Sequence, residues 1–149
     1  MTPHIQRIKH DPENGQYGDC YRTAIACLLD VEPEEVPHFC IPEISDPHDL
    51  MSHWLLEYKK CSIFTSVFSG DNTYKEVLQY VEFNNKNIYY LLSARSKIAN
   101  HIWICINNEI VHDPSGNNIT PLGPSINPEG LECYPVSVLV PAQTCLLLP

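Results

Sequence analysis

The order in which hydrophobic periods change along the chain is the strongest constraint on its fold. Tyr21, Ala24, Ile25 and Leu28 recur at i, i+3, i+4 and i+7, the stripe of a helix that buries one face. Leu50, Met51, Trp54, Leu55 and Tyr58 repeat the pattern behind Asp46, a capping residue, and Pro47, which suits the first helical position. Residues 61 to 68 are β-rich, and Tyr74, Val77, Leu78 and Val81 give a third helix behind the turn Ser69-Gly70-Asp71-Asn72. Beyond it the patterns are those of strands: 88 to 94, 101 to 106, 109 to 113 and 134 to 140, separated by Asn, Gly, Pro and Ser clusters. Helices early and strands late predict an α+β fold, with the N-terminal helices packed on one side of a C-terminal antiparallel sheet. No repeat or linker divides residues 1–149, and the length suits a single core.

The first helix carries the first chemical signal. The segment from His10 to Asp19 is a turn-rich loop holding Gly15 and Gly18, and Asp19 is a good N-cap for the helix that begins after it. Cys20 then falls on the first helical turn, where the helix dipole and unpaired amides favour a thiolate and lower the thiol pKa. Its own amide can donate to a developing oxyanion. Set against this, a free cysteine is commonly just a small core residue. The helix ends near Asp30, because Pro33 and Pro37 bracket a separate acidic turn whose Glu34-Glu35 pair reads as a solvated face.

The second signal is the run from His101 to Pro114, two apolar segments about an Asn-rich turn, which reads as a β-hairpin. His101 opens it and Asp113 closes it, so both lie at one end, where a carboxylate can fix the tautomer of a histidine base. Register decides whether they meet. A two-residue Asn107-Asn108 turn puts Asp113 on the opposite face from His101, whereas a three-residue turn including Glu109, or a bulge, brings them to one face. One of those two devices is predicted. His112 is the rival base, but as the neighbour of Asp113 on a strand it points the other way. Without such a device, His101 and Asp113 are ordinary polar strand ends.

Composition removes several function classes. The formal charge is −9, and the nine Lys and Arg stand singly apart from Lys59-Lys60, so no basic stripe exists for a phosphate backbone. The start lacks a signal-peptide layout and no apolar run is long enough for a membrane helix, which predicts a cytoplasmic protein with no membrane partner. Cys20, Cys27, Cys40, Cys61, Cys105, Cys133 and Cys145 show no paired spacing and read as reduced thiols. His38, Cys40, Cys27 and His53 lack the close spacing of zinc ligands, so neither metal nor cofactor is expected. Trp54, Tyr58, Tyr74 and Tyr80 fall on helix faces and read as core. The stretch from Pro114 to Gly130 is long for a loop, and is either a lid or binding loop or a solvated excursion.

Three stretches together resemble the papain-like cysteine peptidase and amidase superfamily, and most of all its small bacterial and phage members. Gly18-Asp19-Cys20-Tyr21-Arg22-Thr23-Ala24 is similar to the nucleophile helix start, and Pro33-Glu34-Glu35-Val36-Pro37-His38-Phe39 to the turn after it in compact relatives. Asn100-His101-Ile102-Trp103 and Val111-His112-Asp113-Pro114 are similar to the base strand and the orienting strand, and the likeness covers about a third of the chain. The resemblance implies Cys20 as nucleophile, His101 as general base, Asp113 as orienter and an upstream side-chain amide as oxyanion donor. Gln16 is the first choice for that donor. Its distance from the cysteine departs from the commonest papain-like pattern, and Asn14 is the alternative. The implied activity is hydrolysis of an amide, isopeptide or thioester bond, or transfer to an amine. The substrate is then a peptide, a protein tail or a small amide, and the triad does not choose among them. The alternative from another class is a catalytically idle papain-like binding module, such as a phage factor capturing a host protein or small molecule.

Overall fold

The structure, a computed structural model, describes residues 1–142, so Cys145 lies outside the described residues. Helix α1 (Cys20–Leu29) buries Tyr21, Ala24 and Ile25, and ends where Asp30 turns left-handed at φ 56°. A short 3-10 turn, Pro33–Glu35, is closed by a capping box between Glu32 and Glu35. Helix α2 (Pro47–Trp54) starts as its sequence predicts, the Asp46 side chain accepting from the Asp49 amide, and runs on through a π-helical turn, Leu55–Lys59. Strand β1 (Cys61–Ser69) leads to helix α3 (Tyr74–Asn84), which opens on a capping box between Thr73 and Glu76. The remaining strands are β2 (Tyr89–Arg95), β3 (Asn100–Ile106), β4 (Glu109–His112), β5 (Gly123–Ile126) and β6 (Glu132–Pro141).

All six strands form one antiparallel sheet in the order β1-β6-β5-β2-β3-β4, which gives the α+β class read from the sequence. Because side chains alternate along a strand, the sheet has two apolar faces. Leu91 and Ile104 belong to the face covered by α1 and α2, together with Ile25, Met51 and Leu55. Tyr90, Leu92, Trp103 and Cys105 point the other way and pack with Val77, Leu78 and Val81 of α3. The expected one-sided arrangement therefore holds for α1 and α2 but not for α3. Its stripe is as regular as theirs, and periodicity reports that a face is buried, not which side of a sheet receives it.

Strand β5 lies within the stretch read as one long loop. Its sequence, Gly-Pro-Ser-Ile, carries the marks of a turn, yet it is wedged between β2 (Ala94 opposite Pro124) and β6 (Ser125 opposite Cys133). Beyond that wedge β2 pairs with β6 directly, at Leu91–Ser137 and Leu92–Val136. Among the described residues no helix is long and apolar enough to cross a membrane.

Candidate functional site

A cavity of about 670 Å³ opens where the start of α1 meets one end of the sheet. Cys20 and Tyr21 form one wall, the β2–β3 turn region with His101 and Ile102 another, and Ser115 and Ile119 close it from the loop after β4. That loop is the first part of the Pro114–Gly130 stretch: Ser115, Asn117 and Ile119 line the cavity, while residues 116–120 stay exposed to solvent.

Asp19 does not cap α1. Its side chain makes no capping bond and is fully buried, accepting instead from the Ile8 amide at 2.9 Å and from Arg22 Nε at 2.8 Å. The N-terminal segment is thus tied to the helix start through one carboxylate. A largely buried guanidinium and an amide outcompete the helix's own first amides for it, a choice that local sequence does not reveal.

His101 and Asp113 are both buried, and His101 Nε2 lies 2.8 Å from Asp113 Oδ1. The device that brings them together is the bulge. Asn107 and Asn108 form a two-residue turn, since Ile106 pairs with Glu109, and Cys105 pairs with Ile110. Ile104 then pairs with His112, leaving Val111 as an extra residue that moves every later side chain of the strand to the other face. Asp113 joins the face of His101 and Trp103 by this one insertion. The Trp103 indole packs edge-on against the His101 ring, with centroids 4.7 Å apart, and limits how the imidazole can turn.

The Asp113 carboxylate is fully engaged. Oδ1 also accepts from the Ser115 amide at 2.8 Å, and Oδ2 accepts from Ser115 Oγ at 2.7 Å and from the Ile119 amide at 3.0 Å. Burial works against its charge, but the Ser115 hydroxyl, His101 and the two amides prevail and hold the carboxyl below its ordinary value. An ionised Asp113 requires a proton on Nε2 of His101, which leaves Nδ1 as the free base nitrogen. Burial lowers the His101 pKa and Asp113 opposes that fall without cancelling it, so the ring is neutral near pH 7.

Cys20 keeps partial exposure to the cavity but is otherwise surrounded by protein. Burial pushes its thiol up to about 12; the Ile102 backbone acts against the rise, and Cys40 and Asp19 add to it. This reverses the expected lowering by the helix start. Removing water from the thiolate is the largest influence on the group, and the Ile102 and Tyr21 backbones offset it only in part.

Of the two oxyanion candidates, Gln16 lines the cavity, whereas Asn14 donates from Nδ2 to Asp11 Oδ2 at 2.7 Å and does not line it. His112 is bonded through Nε2 to the His4 carbonyl at 2.7 Å and lies outside the cavity wall. His38 is similarly committed to the Tyr17 carbonyl at 2.9 Å. Among the described residues no cluster of three potential metal ligands occurs, and six cysteines are unpaired.

Tyr21, His48, Cys40 and Gln6 are among the lining residues not foreseen. Tyr21 and His48 hydrogen-bond at 3.1 Å, with His48 lowered by burial against the pull of Asp46, and Cys40 is a second thiol, pushed up to about 11 by burial. Gln6 is anchored by its amide to the Pro114 carbonyl at 2.7 Å and by Nε2 to the Ile8 carbonyl at 3.2 Å. Its buried Oε1 has no partner. No local motif marks Gln6; only its return to Pro114, beside Asp113, brings it to the site. No protein-family model, curated protein or solved structure matches the chain.

Proposed function

We propose that the cavity is the active site of a cysteine acyl-transfer hydrolase of papain-like type, with Cys20 as nucleophile, His101 as base and Asp113 as orienter. The supporting observation is the buried 2.8 Å bond between His101 and Asp113 on a histidine that lines the same cavity as Cys20, although His101 projects from the Trp103 side of β3 and makes no hydrogen bond to Cys20. A neutral thiol and a neutral imidazole make this a general-base mechanism. His101 Nδ1 takes the Cys20 proton as sulfur attacks the carbonyl carbon of an amide, isopeptide or thioester. The same proton passes to the leaving amine or thiol, and water deprotonated by His101 then releases the acid. The Cys20 amide and a side-chain amide, from Gln16 or Gln6, are suited to hold the oxyanion.

The raised Cys20 thiol favours a second reading, a binding cavity that holds a small molecule or peptide without turning it over. Intact mass spectrometry with p-nitrophenyl acetate separates the two. The enzyme reading expects one transient acetyl adduct at Cys20, lost in Cys20→Ser and formed slowly in His101→Ala. Adducts spread over several cysteines, or none, leave the binding reading standing.

A further inference from the structure

We infer that the outer edge of β1 is a homodimer interface, on which a second copy of the chain pairs its own β1 antiparallel to the first. Strand β1 hydrogen-bonds to β6 along all nine residues without a bulge, and no other described strand lies on its far side. An edge of this length is normally blunted by charge, proline, a bulge or a covering element. Cys61–Ser69 has no charged residue and no proline, in a chain of net charge −9.

The surroundings of the edge are apolar on both faces. Phe64 is 60% exposed on the α3 face, where Tyr80, stacked on Phe68, is exposed beside Phe83, and Val67 is 66% exposed on the opposite face. On that opposite face Leu56 and Tyr58 are exposed on the π-helical turn that packs against β1. Tyr58 and Tyr80, expected in the core, are thus surface residues near this edge.

Charge selects a second copy as the occupant. Full pairing of nine residues with their own copy puts the two-fold axis at Thr65, so that Cys61 faces Ser69 and Ile63 faces Val67. Lys59 and Lys60, on the π-helical turn and its cap before the strand, and Asp71 of the other copy, in the turn after it, then lie at the same end of the ladder. Opposite charges lie at both ends of the ladder while its middle stays neutral, a self-complementary pattern suited to a two-fold interface. No residue of β1 lines the cavity, whose strand walls come from β2 and β3, so it stays open in such a dimer.

Sedimentation equilibrium tests this without reference to any activity. Wild-type protein at micromolar concentration is expected at twice the chain mass. Phe64→Lys and Val67→Lys are expected at the chain mass with unchanged circular dichroism, since both side chains are already exposed, and with a Tm that no longer rises with protein concentration, because no dimer stabilises the native state. Thr65→Cys is expected to form a disulfide between copies on mild oxidation, because paired positions on antiparallel strands have suitable Cα spacing. A wild-type chain that stays monomeric overturns the inference, as does a dimer that persists in both lysine variants. Dimerisation only after removal of residues 143–149 assigns the edge to the chain's own C-terminal segment and overturns it as well.

Discussion

His101 Nε2 and Asp113 Oδ1 stand 2.8 Å apart because the register between their strands slips by one residue at Val111. Deleting Val111 would restore an unbroken ladder and turn Asp113 to the opposite face. The ring would then lose the one carboxylate that opposes its burial. The His101 pKa, followed by NMR, is expected to fall further below its ordinary value in this deletion, and the Nε2-protonated tautomer to lose its dominance. An unchanged pKa and tautomer would show that the bulge does not set this pair.

Ser115 should prove a positioning residue for Asp113. Its hydroxyl, at 2.7 Å from Oδ2, is the largest influence holding the carboxyl ionised against burial. Ser115→Ala is expected to raise the Asp113 pKa toward the ordinary carboxylate value and to cost about 1 kcal/mol of stability in urea titration. Ser115→Thr should restore both, since it keeps the hydroxyl. A pKa that is insensitive to either change would reduce Ser115 to a loop residue.

Much of this architecture is legible in the sequence. The cap at Asp46, the buried stripe of α1 and the need for a device in the His101 hairpin all follow from local rules, and they hold because local and tertiary preferences agree there. The misses come where distant residues decide. Asp19 is drawn from its helix by Ile8 and Arg22, β5 is a strand only because β2 and β6 flank it, and Gln6 reaches the cavity through Pro114. The Cys20 thiol belongs with these, since burial depends on everything packed around it.

Asp19 should carry more stability than any helix cap in the chain. Asp19→Ala leaves Arg22 and the Ile8 amide without their buried acceptor, and breaking a buried ion pair from one side costs about 3–5 kcal/mol. Chemical denaturation is expected to show a loss of that order. A loss below about 1 kcal/mol, the scale of an exposed pair, would mean that water replaces the carboxylate readily.

Cys20 alkylation should report a protected thiol. With burial pushing the group to about 12, iodoacetamide labelling at Cys20 is expected to be negligible at pH 6 and to climb through pH 9 without a plateau. Cys40→Ser should leave the rate unchanged over this range, because burial pushes Cys40 up to about 11 and keeps it an uncharged neighbour there. A fast, pH-independent labelling at pH 6 would instead mean a preformed thiolate paired with His101.

Mild acid should destabilise the fold through its buried imidazoles. Burial lowers both His101 and His48 below the ordinary 6.5 in the native state, while the unfolded chain titrates at the ordinary value. Between the two values the unfolded chain binds more protons than the native protein, so stability rises with pH there. The contribution is fully present above about pH 6.5 and is lost as pH falls through the native values. Urea midpoints measured from pH 8 to pH 5 are therefore expected to drop, and to drop less in His48→Gln. In His101→Gln the drop should also shrink, but from a lower starting midpoint, because glutamine cannot reproduce the ring's fit against Trp103. A wild-type midpoint that is flat across this range would mean that neither ring is held neutral by its surroundings.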